Sequence, residues 1–78
     1  MNFGEAIAYL KEGKKVARLG WNGKGLYLRL QRPGALSKMT LPYIYIKYPT
    51  DAMNTPGARV PWLASQTDML AEDWVLVP

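Results

Sequence analysis

The chain has 78 residues, 49% of them apolar, with ten Lys and Arg against six Asp and Glu for a net charge of +4, and neither Cys nor His. That composition predicts one globular domain over residues 1–78 and excludes disulfide staples, thiol or imidazole catalysis and a Cys/His zinc site, so no metal and no cofactor is expected. No stretch approaches the roughly 18 apolar residues of a membrane span. Glu5 stands where a signal peptide would have a basic head, which points to a cytosolic protein.

A domain of about this length buries only about 60% of the surface that its unfolded chain exposes. A second copy is the expected stabiliser, so the chain reads as a homo-oligomer. All ten cations fall between Lys11 and Arg59, where only Glu12 and Asp51 are acidic, whereas Asp68, Glu72 and Asp73 gather near the end. Such a basic middle favours an anionic partner, although scattered surface lysines produce the same count.

Asn2 with Glu5 three residues later forms a capping-box variant, and Phe3, Ile7 and Leu10 follow at helical spacing as far as Gly13. A first helix is expected over residues 3–12, with Lys11, Lys14 and Lys15 at its negative end. Val16 to Leu19 and Leu26 to Gln31 read as strands of a hairpin. Within the second, Leu26, Leu28 and Leu30 alternate with Tyr27, Arg29 and Gln31. The five residues Trp21 to Gly25 between them make a loop longer than a minimal hairpin turn.

Pro33-Gly34 opens a loop to Pro42, and Tyr43 to Tyr48 alternate as a third strand that Pro49 stops. After the turn-rich residues 50–58, Arg59 to Leu63 is an extended piece broken by Pro61, which places it at a sheet edge. Ser65 and Asp68 make a second capping box for a short helix through Ala71, and Trp74 to Val77 closes the sheet. The order predicts an α+β domain with a small, largely antiparallel sheet, an N-terminal helix and a short C-terminal helix.

Six scattered carboxylates offer no evident acid and base pair. GWNGKG lacks the Lys-Ser/Thr ending of a phosphate loop and leads into a strand. Its glycines beside Trp21, Asn22 and Lys24 suit a loop that stacks a base and holds a phosphate; a plain turn with Trp21 folded onto the sheet suits the residues as well. The same two readings apply to PWLASQTD. Ser65 and Asp68 serve as caps, or the helix start receives a nucleotide edge, with Trp62 as core or pocket wall.

Two blocks, MNFGEAIAYLKEGKKVARLGWNGKG at residues 1–25 and VPWLASQTDMLAEDW at residues 60–74, together resemble the phage Thoeris anti-defence family called Tad2. The resemblance implies a sponge, not an enzyme, that sequesters cyclic ADP-ribose isomers or related cyclic nucleotides uncleaved, some relatives also taking cyclic oligonucleotides. It implies a tetramer built as a dimer of dimers, with pockets between subunits, working in the cytoplasm of the infected bacterium, with no membrane and no DNA or RNA partner. By the same resemblance, Trp21 stacks a nucleobase, Asn22 offers polar contacts, Leu26 lines the ring site, and Trp62, Ser65, Gln66 and Asp68 complete the pocket. Leu26 stands where relatives can carry a larger ring, leaving Trp21 or Tyr27 to stack. Lys24 is added on electrostatic grounds, because a pyrophosphate needs positive charge nearby.

Two other functions compete. The basic charge interleaved with Tyr43, Tyr45 and Tyr48 suits a small single-stranded nucleic-acid-binding module. A nucleotide-cleaving enzyme would have to work with carboxylates alone.

Overall fold

The computed structural model describes residues 1–21 and 24–78. Its elements run α1 (Phe3–Lys11), β1 (Lys15–Arg18), β2 (Tyr27–Gln31), β3 (Tyr43–Lys47), β4 (Arg59–Pro61), α2 (Gln66–Leu70) and β5 (Trp74–Val77). This is the α+β arrangement that the sequence predicts.

Helix α1 starts where its capping box closes: the Glu5 amide donates to Asn2 Oδ1 at 2.8 Å and the Asn2 amide to Glu5 Oε1 at 2.9 Å. It ends at Gly13, whose φ of 87° is open to glycine at little cost. Ala6 and Leu10, four residues apart, form its buried stripe.

The sheet is antiparallel throughout, in the order β4-β3-β2-β1-β5. Pro61 lies on the outer strand β4, where its missing amide breaks no inner ladder. Register puts Val16, Leu28, Ile46 and Val60 in one row across the sheet. Leu30, Ile44, Arg18 and Trp74 share that face through the alternation along each strand. Helix α1 covers it, and Ala6, Leu10, Val16, Leu28 and Trp74 form the fully buried core. Among the described residues no helix covers the opposite face.

Several expected boundaries move by a residue or more. Strand β1 gives way after Arg18 because the chain turns there, the Trp21 amide donating to the Arg18 carbonyl at 3.3 Å. Leu26 precedes β2 instead of beginning it, so the three-leucine stripe has two strand members. Strand β4 stops at Pro61, although the Trp62 amide still donates to the Ile44 carbonyl at 3.0 Å. Helix α2 is a single turn, ended by Ala71 in extended backbone (φ −70°, ψ 151°).

Candidate functional site

The turn after β1 and the start of α2 meet over Trp74, within one chain. Trp74 is wholly buried, and its indole Nε1 donates to the Asp68 carbonyl at 3.0 Å. Around it stand Phe3, Trp21 and Trp62. Trp21 and Trp62 both meet Trp74 edge to face, at ring separations of 5.5 Å and 6.0 Å, and Phe3 lies 5.5 Å from Trp74 and 6.1 Å from Trp62. Such pairs add about 0.5–1.5 kcal/mol each beyond area burial. Trp62 is therefore part of the aromatic packing; it also walls a hollow of ≈ 400 Å³ between α1 and the sheet, with Leu30, Arg32 and Ile44.

Asp68 is the hub. It is 8% exposed, and among the described residues it is the buried charged side chain. Its Oδ1 accepts from Arg18 Nη1 at 2.9 Å and from Trp21 Nε1 at 3.4 Å, while Oδ2 accepts from the Ser65 amide at 3.1 Å. In return the Asp68 amide donates to Ser65 Oγ at 3.1 Å, completing the expected capping box. The helix cap thus also anchors an indole and a guanidinium.

Arg18 spans two carboxylates. Its Nε donates to Asp73 Oδ1 at 2.9 Å, and the other Asp73 oxygen accepts from the Gly20 amide at 2.8 Å. Burial pushes the Asp68 carboxyl up, but the bonds from Arg18, Ser65 and Trp21 outweigh it and hold the group below its ordinary value. Asp73 is held down chiefly by the Arg18 bond, with the Gly20 amide assisting, and Arg18 is held more firmly protonated by Asp73 and Asp68. Two anions around one cation leave this cluster net negative. It suits a hydroxyl or amine donor better than a phosphate.

Of the residues that the sequence singles out, Trp21, Trp62, Ser65 and Asp68 come together here. Ser65 is exposed and shares a hydrogen bond with Thr67 Oγ1 at 2.9 Å, and Gln66 is exposed on the first turn of α2. Lys24 and Leu26 line a different hollow, ≈ 380 Å³, with Tyr48, Pro49, Asp51 and Ala52. Asn22 lies outside the described residues. Tyr27 projects from the helix-free sheet face, beneath Lys15 Nζ at 5.0 Å from its ring, and so stands apart from Trp21. Sequence reasoning missed Arg18, Gly20 and Asp73. The available signal was Arg18 itself, a cation two residues from Val16 on the face that α1 buries.

Fold and site define a small α+β domain in which a charged cluster fixes an indole at the lip of a glycine loop. A domain model described as Thoeris anti-defense 2-like, Tad2-like, matches residues 1–77, so the chain belongs to that family. It is 42% identical over 84 residues to a protein of Bacillus phage SP01 called Thoeris anti-defense 2, the match covering 99% of this chain and 94% of that protein. Membership supports a phage anti-defence role.

Proposed function

We propose that the chain opposes Thoeris immunity by binding a cyclic ADP-ribose-type signal and withholding it uncleaved. The single observation that carries the reading is the fixation of Trp21. Its ring edge is bonded to Asp68 and packed on Trp74, yet the residue is only half-buried, so an aromatic surface is held ready before any ligand arrives. Ordering that side chain in advance lowers the entropy cost of stacking a base.

The charge pattern supports an orientation. Ribose hydroxyls or an exocyclic amine face the net-negative Arg18, Asp68 and Asp73 cluster, while the pyrophosphate turns toward Lys24 on the far side of the loop. Asp68 acts by positioning Trp21, because its oxygens are already engaged. Sequestration without chemistry agrees with the two carboxylates here, both held ionised by Arg18 and so lacking a proton to donate at neutral pH. The ligand-binding form is a tetramer acting in the host cytoplasm. Its subunits bring Trp21, Trp62, Ser65 and Gln66 of the indole cluster together with the neighbouring hollow of Lys24 and Leu26 to complete the pocket.

Titration calorimetry with cyclic ADP-ribose isomers, run beside light scattering for the oligomer mass, tests this. Saturation at a fixed ligand count per oligomer is expected. Heat that never saturates, or none with any isomer, contradicts it.

A further inference from the structure

We propose that the helix-free face of the sheet is a second binding surface, one that takes single-stranded nucleic acid. Its residues follow from the register. One row runs Val75, Ala17, Tyr27, Lys47, Arg59, and the next runs Val77, Lys15, Arg29, Tyr45, Pro61, with Gln31 opposite Tyr43 beyond them. Four cations and three tyrosines therefore share one surface. The five strands contain no acid at all.

The two ends of this surface differ in a useful way. At the β1 end, a hollow of ≈ 470 Å³ is walled by Lys14, Lys15, Arg29, Leu76, Val77 and Pro78, where three side-chain cations outnumber the terminal carboxylate of Pro78 and suit phosphates. At the β3 end, Tyr43 borders a hollow of ≈ 460 Å³ whose other walls include Met39, Leu41, Pro42 and Pro61, an apolar slot of base-accepting character. Tyr43 also borders a smaller one of ≈ 240 Å³ that adds Arg32 and Lys38. Tyr45 and Tyr43 are two residues apart on one strand, about 6.8 Å, which matches the stride of an extended nucleotide chain.

Charge decides between occupants. A second copy laid on this face by a two-fold axis would bring eight strand cations together with no strand carboxylate opposing them, which is repulsive. A polyanion meets complementary charge instead. Duplex nucleic acid would supply the phosphates but keep its bases stacked away from the tyrosines, so the aromatic half of the surface selects unpaired bases. This site is separate from the Trp21 cluster, which lies on the α1 side of the sheet, and it extends the partner set beyond the one that the family resemblance implies.

The test is fluorescence anisotropy with labelled oligothymidine of about 12 nucleotides, with a duplex of the same length and free nucleotide as competitors. Binding is expected to favour the single strand. Four phosphates neutralised give a slope of log K against log salt of about −2.8. Tyr45→Ala should weaken binding about tenfold and Tyr45→Phe should restore it, because stacking needs the ring and not the hydroxyl. Arg29→Glu with Lys47→Glu should abolish it, with circular dichroism confirming the fold and Lys47→Gln as a milder variant. Equal affinity for duplex, no preference for the oligonucleotide over free nucleotide, or binding that survives the double charge reversal would overturn the proposal. Because none of these residues borders Trp21, retention of cyclic ADP-ribose by the same variants separates this outcome from the fate of the sponge reading.

Discussion

The Trp21 indole donates to the Asp68 carboxylate at 3.4 Å across 47 residues of chain, and that bond joins the glycine loop to the short second helix. Asp68 is thereby cap, counter-ion and aromatic anchor at once. Each role predicts a different consequence when one partner is removed.

Trp21→Ala removes both the stacking surface and the edge-to-face contact with Trp74. Ligand retention should be lost, with a stability cost of only about 1 kcal/mol, since the ring is half-exposed. Trp21→Phe keeps a ring but not the N–H, and should bind with intermediate affinity. Calorimetry on the three proteins checks the order. Unchanged binding by Trp21→Ala would remove the indole from the site.

Asp68→Ala should cost more than Ser65→Ala. Loss of the Ser65 hydroxyl removes one cap bond, about 1 kcal/mol, whereas loss of Asp68 also strips the Trp21 edge of its acceptor and leaves Arg18 with Asp73 alone, about 2–3 kcal/mol in all. Urea denaturation compares them. Equal losses would reduce Asp68 to a helix cap.

Both site carboxylates sit below their ordinary value of 3.8. A carboxylate whose folded pKa is depressed contributes stability above its unfolded pKa and loses it as pH falls through the folded value. The melting temperature should therefore hold steady from pH 7 to 5 through these two groups and fall below about pH 4. Asp68→Asn should flatten that acid limb. An acid limb of the same steepness in Asp68→Asn would assign the transition to other groups.

Gly25 has a φ of 87°, and a Cβ there would lie 3.1 Å from the Pro49 Cβ. Gly25→Ala should destabilise by about 1–2 kcal/mol through both strain and crowding. It should also disturb the hollow shared by Lys24, Leu26 and Pro49. A thermal melt together with ligand titration checks the pair of effects; an unaffected melt would show that the loop repacks freely.

Much of the fold was legible because local chemistry and tertiary packing agree. Asn2 with Glu5 and Ser65 with Asp68 are sequence-local caps that the structure reproduces bond for bond, and Ile44 with Ile46 declare a buried face by alternation alone. Leu26 was misread as strand because hydrophobicity continues past the point where the ladder begins. The short reach of α2 reflects Ala71, which turns extended to bring Trp74 onto β1. That is a tertiary demand with no local signature.

The site was legible in its aromatic and cap residues and illegible in its wiring. Arg18, Gly20 and Asp73 converge through pairings 53 and 55 residues apart. Only the antiparallel pairing of β1 with β5, which sets Arg18 opposite Trp74, brings those acids within reach. A charged residue on the buried face of β1 states that a counter-ion exists but not which of three nearby acids in the sequence supplies it.

The most direct measurement is a prolonged incubation of the purified protein with cyclic ADP-ribose isomers, removal of free ligand, heat denaturation and mass spectrometry of what is released. One isomer should be recovered at its original mass from the native protein and far less from Trp21→Ala. Recovery of a hydrolysed product, or equal recovery from both proteins, would contradict a pre-set indole that holds its nucleotide intact.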